Sequence, residues 1–445
     1  MPHLSISLRL PIPLLLGIAA ATQLSATGGA RDAEFDKVPF GQWMAGGEQT
    51  QLKWTERALP VLLSIHQRLM ARVVIQLDGA EAAKRRGEGE LIFYFQLTDS
   101  QGRIYQDHTS YDLTKVEEGL KAQDLSVTES AFVLPGDYAV SLAIYDTATK
   151  EHSVRKTKLH IAPMKADPLP GAWLNLPQVE FVEPSEPPDH WFLPKETGKL
   201  NLPLTPRHPV RIDVLVNLTP SQQSSRTYGI QDRNLSVILP FLKVISQMAA
   251  PGLELNAGLL DLSRRRITFH QEDVRGLDWD KMKPSLSEAN SGSIDVKSLA
   301  DRQHNAAFFL AEIERRFASA PSSPEVDRRA RAVIVLSGPM VFDTEQELPE
   351  PPLKPPPDCR LFYIRIQNPT ATVPVLAPDM NRRRGMGSGF PGRSRMPPGG
   401  EFPIPLAMDQ LLPLLKPLDP HSFDVMTAEQ FRKALAVIMS EISNL

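Results

Sequence analysis

The chain has 445 residues, of which 42% are hydrophobic and 23% are charged, and it carries a formal net charge of −3. At roughly 150 residues per domain this length predicts about three domains, and the apolar fraction is sufficient for buried cores. The near-neutral charge gives no electrostatic reason to expect nucleic acid or an anionic membrane as a partner. Proline is over-represented, with 41 residues, and it clusters in segments that we predict to be linkers and inserts.

The first residues have the pattern of a targeting segment. Arg9 precedes an apolar run over residues 10–21, and small residues follow up to Ala26. This pattern predicts a signal peptide over residues 1–26 and export to the periplasm or the extracellular space. An uncleaved anchor is the alternative, but the run is shorter than the roughly 20 residues that cross a bilayer. After cleavage no stable membrane span is expected, and the small, polar residues 27–50 are predicted to be a disordered lead-in.

Residues 51–163 contain short segments rich in β-branched and aromatic residues, separated by turn sequences. Strands at this spacing predict an all-β sandwich of about 110 residues. The segment from Phe132 to Ile161 resembles the last strands of immunoglobulin-like modules in bacterial surface proteins, which implies an immunoglobulin-like sandwich. The clearest predicted strands are 73–77, 91–97 and 138–145.

A proline-rich segment, residues 164–208, follows the predicted sandwich. It has no clean periodicity, so we predict a linker that is semi-rigid where its prolines cluster. Its aromatic residues Trp173, Trp191 and Phe192 are interpreted as side chains that dock on a neighbouring domain, with a ligand platform as the alternative.

From residue 209 onward, apolar strands alternate with helical patterns, which predicts a Rossmann-type, doubly wound α/β sheet that is mostly parallel. Such a sheet binds ligands at the carboxyl ends of its strands. Two inserts, residues 343–358 and 378–405, are predicted to be disordered. The predicted elements are strands 210–216, 332–336, 361–366 and 422–425, an edge hairpin of 253–262 with 266–270, helices 234–250 and 305–317, and a last helix opened by a capping box over 427–430.

Hydroxyl residues follow the first of these strands at alternate positions. Asn217 directly follows the predicted strand, and Thr219 and Ser221 come next. With this hydroxyl pair and the order of elements, residues 209–445 resemble the von Willebrand factor type A (VWFA) domain, in particular the exported VWFA-related proteins of acidobacterial type. That family has a metal-ion-dependent adhesion site (MIDAS) built from an aspartate and two serines after the first strand, a threonine from a middle loop and an aspartate after the fourth strand.

The resemblance implies a degenerate MIDAS. Asn217 replaces the first aspartate and Gly338, which follows Ser337, replaces the second, while Thr219 and Ser221 keep hydroxyls. Magnesium is usually anchored by carboxylates, so a neutral set of donors would not offset the cost of its dehydration. No metal or other cofactor is therefore expected. Open alternatives are that Asp232 or Asp343 compensates, or that Ser291, Ser293 or Ser298 replaces the missing threonine.

Recognisable enzyme motifs are absent from the sequence: there is no HExxH, no GxSxG, no Walker-type loop and no paired-cysteine metal motif. Cys359, the single cysteine, is interpreted as a buried small hydrophobe. We therefore expect a non-enzymatic protein of the bacterial envelope that binds a protein partner or acts as a scaffold. Its binding face would be rimmed by Asn217, Thr219, Ser221 and Ser337.

Two other functions stay open on the sequence alone. One is a Mg²⁺- or Mn²⁺-dependent adhesion module with atypical ligands, and the other is an exported hydrolase whose site has no recognisable motif. The sequence determines neither the identity of the partner nor the oligomeric state.

Overall fold

The computed structural model describes a β-rich protein with several sheets. Outside the described residues lie the predicted signal peptide 1–26 and the insert 378–405. Among the described helices, none is long and apolar enough to cross a membrane. The described residues are 37–46, 49–115, 124–182, 197–219, 230–273, 276–290, 296–318, 329–342, 344–348, 358–367 and 409–445.

The first half of the described chain consists mainly of strands. Burial alternates along Leu69–Leu77, where every second residue is buried, as expected of a strand with one face turned toward a core. The elements in chain order are α1 (Phe40–Gly46), β1 (Gln49–Thr50), β2 (Trp54–Leu63), β3 (Leu69–Leu77), α2 (Gly79–Lys84), β4 (Glu90–Asp99), β5 (Ile104–Asp112), β6 (Leu125–Val133), β7 (Gly136–Asp146), β8 (His152–Ile161) and β9 (Val179–Phe181).

These strands form two antiparallel sheets, with orders β1-β8-β7-β4-β5 and β2-β3-β6-β9. Ile75 and Val133 from one sheet and Phe93 and Leu142 from the other belong to a single buried core. The predicted strands 73–77, 91–97 and 138–145 lie within β3, β4 and β7, as their β-branched and aromatic composition indicated.

Order extends beyond the predicted sandwich at both of its ends. In the predicted lead-in, helix α1 packs on the sheet through Phe40, whose ring stacks on that of Tyr94 with centroids 4.4 Å apart. In the predicted linker, β9 pairs with β6 through Ala131↔Phe181. The prediction of disorder over 27–50 is therefore wrong for residues 40–46, because buried aromatic contacts hold them in place.

The second half of the described chain alternates strands and helices. The elements are β10 (Leu202–Pro203), β11 (Val210–Asn217), α3 (Ile230–Ile245), β12 (Met248–Ala249), β13 (Glu254–Asp261), β14 (Arg266–Gln271), α4 (Trp279–Asn290), α5 (Val296–Ala300), α6 (Asn305–Ala318), β15 (Ala330–Ser337), β16 (Cys359–Ile366), α7 (Leu411–Leu415), β17 (His421–Val425) and α8 (Ala428–Asn444).

Six of these strands form one sheet in the order β14-β13-β11-β15-β16-β17. Strands β13, β11, β15, β16 and β17 are parallel to one another, and β14 pairs with β13 as an antiparallel edge hairpin. Helices α3 and α8 pack on one face of the sheet and α6 and α7 on the other. The central strands read as nearly continuous apolar runs because both of their faces are covered.

Two local predictions in this half have different outcomes. The capping box is confirmed, since the Thr427 side chain accepts from the Gln430 backbone and the Gln430 side chain accepts from the Thr427 backbone. The helix predicted over 234–250 ends earlier, at Ile245. Met248 instead pairs with Leu202, a residue of the predicted linker, in a two-stranded parallel sheet.

The two halves contact each other through a buried polar cluster. Arg432 of α8 donates two hydrogen bonds to the Asp167 carboxylate, at 2.6 and 2.8 Å, and its guanidinium lies 4.7 Å from the centre of the Trp173 ring. Trp173 Nε1 donates to the carbonyl of Gln67 at 2.7 Å, and Gln67 Nε2 donates to the carbonyl of Ala428 at 3.0 Å. Trp173 therefore docks between the two halves, which agrees with its predicted docking role.

Candidate functional site at the carboxyl end of the parallel sheet

The predicted site residues lie where the order of the parallel strands reverses. Strands β13 and β15 flank β11, and Val216 of β11 is in register with Leu336 of β15. The next residues along these strands are Asn217 and Ser337. Sheets of this kind bind ligands in the crevice at such a point, so the structure places these two residues at the position expected of a site.

The Asn217 amide is fully engaged inside the protein. Its Oδ1 accepts a hydrogen bond from the Thr219 N–H at 2.9 Å, and its Nδ2 donates to Ser337 Oγ at 2.9 Å and contacts Met340 Sδ at 3.6 Å. Asn217 is 2% exposed and Ser337 is 0% exposed. The two residues therefore bind each other and do not present their side chains at a surface.

The neighbouring polar groups also have internal partners. Thr219 Oγ1 accepts from the N–H of Leu262 at 2.7 Å, which ties the end of β11 to the end of β13. Ser337 Oγ donates to the carbonyl of Gly338 at 2.7 Å. Such side chain to backbone bonds are the usual way in which hydroxyl and amide side chains satisfy a loop.

Several predicted residues cannot be placed at this edge. Ser298 is described: it is buried on α5, and its carbonyl accepts from Arg265 at 3.3 Å. Ser221, Ser291, Ser293, Asp343 and the side chain of Asp232 lie outside the described residues.

A buried carboxylate that sequence reasoning missed lies beside this network. Tyr363, on β16, donates through its hydroxyl to Asp409 Oδ2 at 3.0 Å. Asp409 also accepts from the N–H groups of Met340 at 3.1 Å, Leu411 at 3.2 Å and Leu412 at 3.3 Å. Its side chain is 0% exposed and lies 3.6 Å from Arg365 Nη1. Asp409 therefore supplies the negative charge that neither Asn217 nor Gly338 provides.

The electrostatics of this cluster follow from its burial. Burial, and then the negative charge of Asp409, raise the pKa of Tyr363 well above its ordinary value, so the phenol stays protonated and donates. A hydrogen bond to Asp424 raises the pKa of Arg365, which therefore remains charged between two carboxylates. The network is a structural one, in which each named donor faces an acceptor.

Among the described residues there is no group of three or more His, Cys, Asp or Glu side chains that could hold a metal ion. Cys359, at the start of β16, is 4% exposed. Burial raises the pKa of its thiol to about 11, so the reactive thiolate is disfavoured. Its interpretation as a small buried hydrophobe agrees with this environment.

Comparisons with known proteins identify no family for the chain. No family model matches, and no curated protein matches. Among solved structures, β-glucosidase from Listeria innocua, in complexes with isofagomine and with gluconolactone, is similar at 13% identity. The matches cover 26% of this chain and 17% of the enzyme, with TM-scores of 0.16 and 0.15. Scores this low carry no argument about fold or activity.

Proposed function

We propose that the protein is an exported, non-enzymatic scaffold or protein-binding protein, with an immunoglobulin-like sandwich followed by a VWFA-like domain whose metal site has been lost. The observation that carries this proposal is the hydrogen bond between Asn217 and Ser337. Two side chains at the edge where the VWFA resemblance implies a metal site are directed to each other. Their polar atoms stabilise the end of the sheet and are not available to an ion.

The strand order supports the VWFA-like part of the proposal. Numbered along the chain, the strands of the large sheet run 3-2-1-4-5-6, with strand 3 antiparallel at the edge. The sequence pattern of residues 253–270 predicts an edge hairpin at this place, and that order of elements is part of the resemblance to the VWFA domain. The two antiparallel sheets that share one core in turn support the immunoglobulin-like part.

The contact between the two halves supports a scaffolding role. Arg432 is 1% exposed and binds Asp167 through two nitrogens, and bidentate pairs of this kind are geometrically specific. A fixed arrangement of two domains presents both surfaces to a partner without the entropic cost of ordering a flexible linker.

A metal-dependent adhesion module is the competing function, and a titration separates the two. The full mature chain would be titrated with Mg²⁺ and with Mn²⁺ while its melting temperature is recorded, because a ligand that binds only the folded state stabilises it by mass action. At millimolar Mg²⁺ or Mn²⁺, the melting temperature of the wild type is expected to be the same as in NaCl of equal ionic strength. A metal-specific rise in the wild type would overturn the proposal.

A matched variant tests the alignment that underlies the proposal. In the double variant Asn217→Asp, Gly338→Asp two carboxylates are restored at the first and second aspartate positions, so it should gain a Mg²⁺-dependent rise in melting temperature. The single variant Asp280→Asn, at an exposed position on α4, is the control for adding or removing a carboxylate elsewhere. If the double variant folds and gains nothing, these two positions are not the degenerate MIDAS positions.

The hydrolase alternative is tested separately. Turnover of any member of a panel of ester, glycoside and peptide substrates by the purified chain would contradict the non-enzymatic proposal. A variant of the site, Ser337→Ala, would then show whether the activity belongs to this edge.

A further inference from the structure

A second polar region lies at the opposite, amino end of the parallel sheet. It is a pocket of about 430 Å³ between the start of β11, the edge strand β14 and the last turn of α6. Its polar lining is strongly basic, and the side chains that matter here are Arg211, Thr268, His270, Glu272, Arg315 and Arg316.

Arg316 is the buried member of this lining, with only 5% of its side chain exposed. Its Nη1 donates to His270 Nε2 at 2.8 Å and to Asp213 Oδ1 at 3.3 Å. Asp213 is itself 2% exposed and also binds Arg211 through Nε at 2.9 Å. One buried carboxylate thus pairs with two arginines beside the pocket.

The other two nitrogens of the guanidinium are unsatisfied. Within the described part of the chain, Nε and Nη2 of Arg316 are buried and have no hydrogen-bond partner. These two N–H groups form one side of the guanidinium, the side that binds a carboxylate or a phosphate with two parallel hydrogen bonds. Leaving buried donors unpaired is costly, so a ligand that accepts from them would be stabilised.

Gly258, on β13, leaves space next to this side of the guanidinium. A Cβ atom at Gly258 would lie 3.6 Å from Arg316 Nη2 and 3.4 Å from Leu215 Cδ2. The glycine has no such atom, so β13 places no side chain at this position against the unpaired side of the guanidinium.

Asp213 pairs with Arg316 through Nη1 alone, and the other neighbouring charged groups leave its Nε and Nη2 without a partner in the described chain. Burial, and then the charge of Arg316, lower the pKa of His270, so this imidazole is neutral and accepts the hydrogen bond. Glu254 is engaged by Arg211 at 3.6 Å and by Arg329.

Two further carboxylates lie on the outer side of the pocket. Glu312, whose side chain is 13% exposed, pairs with Arg315, whose side chain is 56% exposed. Glu272 is exposed on the rim, where solvent screens its charge.

We propose that this pocket binds an oxyanion, a phosphate or carboxylate group, through the unpaired side of Arg316 with Arg315 at its mouth. The site is independent of the proposed scaffolding function, because it lies at the other end of the sheet and uses none of the same residues. A planar carboxylate and a tetrahedral phosphate can both accept two parallel hydrogen bonds from a guanidinium. The test therefore probes each of them separately.

The test is isothermal calorimetry on the full mature chain in a chloride buffer, with inorganic phosphate and acetate as probes and NaCl as the control at equal ionic strength. Phosphate, acetate or both should bind, and NaCl should not. Arg316→Gln removes the charge-assisted hydrogen bonds to the anion, so its binding should be weaker than that of the wild type by at least about tenfold. Arg315→Gln should weaken binding to a smaller extent. The control variant Arg360→Gln removes an exposed arginine of β16 that does not line the pocket, and it should bind like the wild type.

The proposal fails if neither probe binds beyond the NaCl control. It also fails if the Arg315→Gln variant, which changes a mostly exposed side chain and should fold normally, binds as tightly as the wild type. This second arm keeps the test decisive if Arg316→Gln does not fold. Binding of phosphate alone would assign the pocket to phosphate groups, and binding of acetate alone would assign it to carboxylates.

Discussion

At the carboxyl end of the parallel sheet, Asn217, Ser337, Tyr363 and Asp409 bind one another or nearby backbone. At the amino end of the same sheet, Arg316 is as deeply buried but keeps two nitrogens without a partner in the described chain. Both regions contain buried polar groups, and they lie at opposite ends of the same sheet, which helices cover on both faces. The difference teaches that burial of polar residues does not by itself mark a binding site, because a satisfied network serves the fold and an unsatisfied one is free to gain a ligand.

Removal of the Asp409 side chain should lower the free energy of unfolding more than any other change proposed here. Asp409→Ala leaves Tyr363 without its acceptor and Arg365 with one carboxylate fewer, so the free energy of unfolding should fall by roughly 3 to 5 kcal/mol. Urea unfolding followed by circular dichroism would measure it. Asp280→Ala, at a position whose side chain is 92% exposed, is the control and should change stability by less than about 0.5 kcal/mol. Equal effects of the two variants would mean that the carboxyl-end network contributes nothing to stability.

Glu129 of β6 extends the comparison to a buried carboxyl group that forms no ion pair with the residues that the structure describes. It is 5% exposed, and its Oε1 has no hydrogen-bond partner among the described residues. Burial, and then the charge of Asp107, raise its pKa to about 8. Since the pKa is higher in the folded state than in the unfolded chain, its contribution to stability is complete below about pH 4.5 and is lost as the pH rises toward 8.

Glu129→Gln should remove this pH dependence. Between pH 5 and 8 the wild type should lose on the order of a few kcal/mol that the variant keeps, so the variant should be the more stable protein above pH 8. Urea unfolding across this pH range would test it, with the exposed Glu88→Gln as the matched control. Parallel pH profiles for the wild type and Glu129→Gln would show that Glu129 is ionised in the folded protein at neutral pH.

The smallest effect is expected at the amino end. Arg316→Met replaces a buried, partly unsatisfied guanidinium with an apolar side chain of similar length and leaves Asp213 paired with Arg211. Asp213 keeps its closer partner, and two buried donors that have no partner in the described chain are removed with the guanidinium. The loss of the Arg316–Asp213 pair is therefore largely offset, and stability in a chloride buffer should change by less than about 1 kcal/mol. A loss of stability as large as that in Asp409→Ala would contradict the contrast between the two ends of the sheet. It would mean that every nitrogen of the Arg316 guanidinium has a hydrogen-bond partner in the folded protein.

Sequence reasoning was most successful where the signal is local. The apolar run from Val210 to Val216, the edge hairpin around residues 262–266 and the capping box at Thr427 each depend on residues close together in the chain. Their periodicity and turn chemistry predict the element without knowledge of its neighbours. The prediction that the hydroxyl residues follow the first strand at the carboxyl edge has the same basis.

The missed features depend on contacts between distant parts of the chain. Asp409 joins Met340 across 69 residues, and no spacing rule connects the two. Strand β9 and strand β10 are too short to show a period, and they form only because β6 and β12 offer them open edges. Helix α1 in the same way depends on the ring of Tyr94.

The sequence by itself determined that a strand-rich region precedes a region of alternating strands and helices. It also predicted that Asn217, Thr219 and Ser337 lie at or just after the ends of strands. Only the tertiary structure decided what those residues do. Whether an amide or a guanidinium is satisfied depends on atoms brought to within about 3 Å by folding. This is why Asn217 forms part of a closed network, while Arg316, an ordinary helix residue in the sequence, keeps two buried donors without a partner in the described chain.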